Sequence, residues 1–132
     1  MLRCLIVDDN PRFLEAARGL LEREGVAVVG TASSGAEAAQ RLDELRPDVA
    51  LVDIDLGGES GFDVARQLSG KGRETPPKII LISTHAEQDY ADLIAASRAV
   101  GFLAKTALSA RAISDLLDGH GGDEPVSGPP GR

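Results

Sequence analysis

The chain has 132 residues, 42% of them hydrophobic, with 14 basic against 21 acidic side chains for a net charge of −7. That size implies one domain, two at most, with enough apolar content for a core, and the acidic balance gives no expectation of direct nucleic-acid binding. No apolar run nears the roughly 20 residues of a membrane span. The N-terminus reaches Asp8-Asp9 too soon for a secretory core, and a single cysteine cannot form an internal disulfide, so the expected compartment is the cytosol.

Short apolar runs alternate with amphipathic segments. The runs are Leu2–Val7, Val26–Val29, Val49–Ile54, Lys78–Ile82 and Gly101–Ala104. Each is strand-length, rich in Val and Ile, and apolar on both faces in its middle, which is the pattern of parallel strands covered on both sides. Asn10 caps a first helix with Pro11 at its first position, Phe13, Ala17, Leu20 and Leu21 share a face, and Gly25 ends it. Ser34 to Glu37 reads as a capping box opening a second helix that runs to Leu45 and stops before Pro47. Ser60–Ser69 suits a third helix and Gly70–Pro77 a loop. Ala86–Ser97 suits a fourth helix with Tyr90, Leu93 and Ile94 on one stripe, and Ser109–Leu117 a fifth with Ile113, Leu116 and Leu117 inward.

Five β–α units in alternation predict a single α/β domain over residues 1–118: a flavodoxin-like (βα)5, doubly wound, five-stranded parallel sheet of order 2-1-3-4-5. Residues 119–132 hold five Gly and three Pro with one aliphatic side chain, Val126. They are expected to form a flexible tail or a truncated linker.

In open α/β sheets, ligands bind beyond the carboxyl ends of the strands. Asp8 and Asp9 follow the first run, Asp53 closes the third, Ser83 and Thr84 follow the fourth, and Lys105 follows the fifth. Any one of these has an ordinary structural role open to it: a helix cap, a turn hydroxyl, a solvated lysine. Together, with the first and third strands adjacent, they converge on one crevice. Two carboxylates about 4 Å apart repel by about 4 kcal/mol at an effective dielectric near 20. A cation is therefore expected, and all-oxygen ligands favour Mg²⁺ or Mn²⁺. A divalent ion, a hydroxyl and an ammonium around a central carboxylate suit phosphoryl transfer, with Asp53 as the nucleophile.

These residues, in Ile6-Val7-Asp8-Asp9-Asn10, Val52-Asp53-Ile54-Asp55-Leu56, Leu81-Ile82-Ser83-Thr84 and Gly101-Phe102-Leu103-Ala104-Lys105, resemble those of the receiver domains of two-component response regulators. The spacings of 44, 30 and 22 residues from Asp9 through Asp53 and Ser83 to Lys105 are similar to the family's, and favour Ser83 over Thr84 as the hydroxyl. The resemblance spans Leu2 to Leu117. It implies Asp53 as phosphoacceptor, with Asp8, Asp9, Asp53 and the Asp55 backbone carbonyl holding Mg²⁺. A sensor histidine kinase is then the phosphodonor and Lys105 contacts the phosphoryl group. Ser83 and Phe102 form a switch that alters the face of the fourth helix, fifth strand and fifth helix. Tyr90, Leu93, Phe102 and Leu108 are the residues expected on that face, where a partner or a second copy would dock. Asp55 and His85 are expected at the pocket rim, tuning phosphoryl lifetime.

Three departures from the family pattern stand out. Gly57 replaces the usual Pro four residues after the acceptor, and Thr106 replaces the usual Pro after the lysine. The second is a trait of receivers joined to LuxR-type output domains. Phe102 replaces the commoner Tyr. Alternatives are a Mg²⁺-dependent phosphatase with an aspartate nucleophile, for which Asp55 stands at the right spacing, and a scaffold receiver that works without phosphorylation. A nucleotide-binding domain is disfavoured by the lack of a G-x-G-x-x-G or Walker loop. The expected product is a signalling module rather than a turnover enzyme. Cys4 is expected to be a small buried hydrophobe.

Overall fold

A computed structural model of the chain describes residues 1–70, 76–85 and 87–122. Five parallel strands, β1 (Arg3–Val7), β2 (Ala27–Ala32), β3 (Val49–Asp53), β4 (Lys78–Ser83) and β5 (Gly101–Ala104), pair in the order β2-β1-β3-β4-β5. The helices between them are α1 (Pro11–Arg23), α2 (Gly35–Leu45), α3 (Gly61–Leu68) and α4 (Ala91–Ala96), and α5 (Ala110–Gly122) follows β5. This is the doubly wound architecture that the alternation of elements predicts.

The period of two along each strand divides the core between the two faces. Leu5 and Val7 of β1, Ala50 and Val52 of β3, and Ile79 and Leu81 of β4 pack with Leu42, Phe62, Leu68 and Phe102. Their neighbours Cys4 and Ile6, Val49 and Leu51, and Ile80 and Ile82 pack on the opposite side with Ala17, Leu21, Leu108 and Ile113. Burial on both faces explains why these strands read as continuous apolar runs. Burial also pushes the Cys4 thiol up to about 12, so it stays protonated and acts as a hydrophobe.

The helix starts follow local chemistry. The Asn10 side chain accepts from the Arg12 and Phe13 amides, and Pro11 opens α1. α1 ends where Val26 N–H reaches back to the Leu21 carbonyl at 2.9 Å, across Gly25 at φ +93°. At α2, Ser34 Oγ accepts from the Glu37 amide, while the Glu37 carboxylate reaches the Ser33 amide and hydroxyl, one residue short of the predicted capping box. That contact holds the Glu37 carboxyl below the usual carboxylate range, through the Ser33 backbone and side-chain hydrogen bonds.

Three boundaries differ from the sequence expectation. β2 begins at Ala27 because Val26 closes the α1 turn, and it continues through Gly30 and Thr31 to Ala32, pairing with β1 across a register shift between Cys4 and Leu5. The fourth helical segment is a 3-10 turn at Glu87–Tyr90 followed by six residues of α4, in which Leu93 is 50% exposed. Tyr90 leaves helical geometry at φ −131°, which breaks the segment in two; Ala86, its expected start, lies outside the described residues. α5 runs to Gly122, into the segment read as tail. Residues 71–75 of the expected 70–77 loop and residues 123–132 of the tail also lie outside the described residues. Among the described residues, no helix is long and apolar enough to cross a membrane.

Candidate functional site

The carboxyl ends of β1, β3, β4 and β5 open onto a cavity of about 270 Å³. Asp8, Asp9, Asp53, Asp55, Ser83, Thr84, His85 and Lys105 all line it, as does Tyr90. Asp8 is fully buried: its amide donates to the Ala32 carbonyl at 2.9 Å, and its Oδ1 accepts from the Asn10 amide at 2.8 Å. Asp53 is 7% exposed and its Oδ1 accepts from the Asp55 amide at 3.2 Å. Asp9 is exposed. One carboxylate oxygen from each of Asp8, Asp9 and Asp53 lies within 4.8 Å of the others.

Lys105 spans the two buried carboxylates. Its Nζ is 2.6 Å from Asp8 Oδ2 and 3.1 Å from Asp53 Oδ2, and it sits 4.4 Å from the centroid of the Phe13 ring. The Phe13 contact is a cation–π arrangement on the apolar side of the ammonium. Burial alone would lower the lysine's pKa, but the hydrogen bonds and charges of Asp8 and Asp53 outweigh it and hold the ammonium above its ordinary value. The Asp53 carboxyl is pushed above the usual range, chiefly by burial and then by the Asp8 charge; the Asp55 amide and Lys105 offset this only in part. Asp8 Oδ2 is buried and meets the Lys105 ammonium at 2.6 Å. A carboxylate oxygen has room for more than one partner, so this ion pair leaves it acceptor capacity to spare. The donor set is hard oxygen throughout, so the residues present fit a small divalent cation.

Ser83 is 1% exposed, and its Oγ accepts from the His85 amide at 2.9 Å. Thr84 is exposed, with Oγ1 3.4 Å from His85 Nδ1. The His85 ring meets Tyr90 edge-on at 6.1 Å, and Tyr90 in turn packs on Phe62 at 5.9 Å. Phe102 lies outside the cavity, 8% exposed, paired in register with Leu81 within the same core cluster as Phe62. Of the four residues expected on an outward face, Leu93 is open and Tyr90 is half-buried. Leu108 is 6% exposed and packs inward with Ile113 and Leu21, so its place on that face is corrected: the 3-10 turn Lys105–Ala107 rotates it toward the core.

Two glycines escaped the sequence reading as site residues. Gly57 stands at φ +72°, where proline's ring cannot go, and a Cβ there would lie 3.0 Å from Asp9 Oδ2. Its amide donates to Asp55 Oδ1 at 3.2 Å, forming an Asx turn. A Cβ at Gly61 would lie 1.9 Å from the Asp53 carbonyl oxygen, so only glycine lets α3 start directly against the acceptor strand. The G-G and S-G steps at these positions mark turns in the sequence, but not their closeness to Asp9 or Asp53. Phe13 was read only as a core-facing helix residue, since nothing local signals its contact with a lysine 92 positions away.

The fold and pocket define a doubly wound α/β domain with an acidic, lysine-bearing cleft at the carboxyl edge of its sheet. Residues 4–117 match the response regulator receiver domain, and the chain belongs to that family. It is 30% identical over 104 residues to the DNA-binding transcriptional activator EvgA of Escherichia coli (strain K12), covering 79% of this chain and 50% of that protein. The chain thus spans about half the length of the curated relatives it matches first. A LuxR-family two-component response regulator from Aurantimonas sp. SI85-9A1 superposes with a TM-score of 0.76 at 27% identity, covering 91% of this chain and 85% of that one. The response regulator protein TrrA from Thermotoga maritima, solved in complex with Mg²⁺-BeF, gives a TM-score of 0.73 at 27% identity, covering 89% of this chain and 98% of that one.

Proposed function

We propose that this chain accepts a phosphoryl group on Asp53 from a phosphohistidine of a sensor histidine kinase. The observation that carries this reading is the meeting of Asp8, Asp9 and Asp53 oxygens within 4.8 Å, with the Lys105 ammonium bridging two of them. An Asp53 carboxylate oxygen attacks phosphorus in line. The phosphorus–nitrogen bond breaks and its electron pair stays on the imidazole of the donor. Lys105 leaves its contact with Asp53 Oδ2 to neutralise the incoming phosphoryl oxygens. Asp8, Asp9, Asp53 and the Asp55 carbonyl would hold Mg²⁺, or Mn²⁺, which supplies charge neutralisation at the reacting phosphoryl group. Ser83, with Thr84 beside it, offers a hydroxyl to the product acyl phosphate.

The Ser83 and Phe102 positions then bias a switch of the α4–β5–α5 surface, where Leu93 is the open apolar side chain and Tyr90 is half-buried. That surface serves partner binding or homodimerisation. Residues 1–118 form the receiver unit in this reading. Asp55 and His85, at the rim, set how fast water removes the phosphoryl group.

Incubation with a small phosphodonor and Mg²⁺, followed by intact-mass measurement, tests the assignment. One alkali-labile phosphoryl group is expected on the wild type and none on Asp53→Asn; labelling of the variant would move the acceptor elsewhere. Release of phosphate from many donor molecules per chain would favour the phosphatase alternative. The same measurement followed in time, on Asp55→Ala and His85→Ala, tests the rim residues: unchanged lifetimes remove both.

A further inference from the structure

The segment between β3 and α3 carries Asp55 and Gly57 at the mouth of the pocket, yet Gly57-Gly58 leaves it little stiffness of its own. Within the loop, the Leu56 amide donates to the Glu59 carbonyl at 3.1 Å, and Asp55 and Ser60 form an isolated antiparallel bridge. At the start of the loop the Ile54 amide donates to the Ile82 carbonyl of β4 at 3.1 Å, and Leu56 is buried in the core. Beyond Leu56, a side chain carries the loop to a further element. Glu59 Oε1 accepts from the Gly35 amide at 2.5 Å, across 24 positions. Gly35 is the first residue of α2, and its N–H is one of the donors that no bond within the helix can satisfy. Ser34 and Glu37 occupy one another's neighbourhood and leave that donor free for Glu59. The carboxylate also sits at the positive end of the helix dipole. A Cβ at Gly35 would lie 3.0 Å from Glu59 Oε2 and 2.9 Å from Val64 Cγ2, so glycine there is what admits the carboxylate.

We propose that Glu59 is a positioning residue: seated on the Gly35 amide, it ties the β3–α3 loop to α2 and so fixes the Asp55 carbonyl at the acidic pocket. Where the family commonly has proline to stiffen this loop, the chain has glycine, and a side-chain tether to a neighbouring helix holds the stretch after Leu56. The proposal rests on the reading that the pocket takes a divalent cation.

The test compares Glu59→Ala and Glu59→Gln with the wild type. Gln keeps an acceptor for the Gly35 amide but removes the charge, so it separates tethering from long-range electrostatics. Mn²⁺ binding is read by electron paramagnetic resonance, and amide exchange at Gly35, Leu56 and Gly57 is read by NMR without metal. Glu59→Ala is expected to speed exchange at these amides and weaken Mn²⁺ binding, each by about fivefold or more. Glu59→Gln is expected to stay within about twofold of wild type in both. Unchanged exchange in Glu59→Ala overturns the tether, and equal loss of Mn²⁺ affinity in both variants overturns positioning in favour of charge. A wild type that binds no Mn²⁺ overturns the metal reading, and with it the purpose assigned to Glu59, while the exchange data still report whether the tether exists.

Discussion

Asp53 and Lys105 show how a single site can carry opposite signs of stability. The Asp53 carboxyl is held above its ordinary value, by burial first and the Asp8 charge after the Asp55 amide's opposing effect. The folded chain therefore binds that proton more tightly than the unfolded chain, and stability falls as pH rises from the ordinary carboxylate value through the folded one. Lys105, also raised, contributes stability that is full below its ordinary value of 10.5 and is lost as pH climbs through the folded one. At neutral pH without metal, ionised Asp53 is thus a destabilising presence. Asp53→Asn is expected to raise stability at pH 7 by on the order of 1 kcal/mol. It should also flatten the fall in melting temperature on going from pH 4 to pH 8. Thermal melts across that range check both; a variant that melts lower than wild type at pH 7 would mean the Lys105 ion pair outweighs the burial of charge.

At the scale of elements, the chain holds its loops with carboxylates that reach across it. Glu24, just past α1, accepts from the Ala110 amide at 2.6 Å and so caps the start of α5 from 86 positions away. Ser109 Oγ takes the Ala112 amide of the same turn. This pins the end of the segment that follows Lys105, next to the position where Thr106 stands in place of the usual proline. Glu24→Ala is expected to lower stability by about 1 kcal/mol, the ordinary worth of a helix cap. A urea titration would show this as a lower midpoint at unchanged slope, with Glu24→Gln retaining most of the difference.

The elements themselves were largely legible. Asn10-Pro11, Ser34 and Ser60 announce helix starts because capping is a contact between near neighbours. The central strands are legible because the middle residues of β1, β3 and β4 are buried on one face or the other and so are apolar. Legibility failed where distant packing decides. β2 extends through Gly30, a weak strand former, to Thr31 and Ala32 because β1 offers a ladder to pair with. The helical pattern after Ala86 breaks at Tyr90, whose ring is drawn to Phe62. Leu93 and Leu108 look alike in sequence, yet one is open and the other is packed against α1 and α5.

For the whole molecule, the pocket couples ligand binding to folding. Three carboxylates share one ammonium, so without a metal ion they repel in part, and the unfolded chain has no such cluster. Mg²⁺ should therefore bind the folded state selectively. At a free concentration one hundred times the dissociation constant, it is expected to add about 2.7 kcal/mol. Melting temperature should rise with MgCl₂ for the wild type, more than with NaCl at matched ionic strength, and rise less for Asp53→Asn. Equal response of both proteins would mean that the ion binds elsewhere.

The amino-acid sequence by itself determined the alternation of strands and helices, the two-sided burial of the central strands, and the polar residues waiting at their carboxyl ends. It could do so because propensity, capping and period-two burial act over a few residues. Only the tertiary structure decided that Asp8, Asp53 and Lys105 come within hydrogen-bonding reach, that Phe13 lies under the ammonium, and that Glu59 and Glu24 hold helices other than their own. Those contacts join positions 24 to 97 apart, and which of them form depends on how the layers pack around the sheet, which no local pattern encodes.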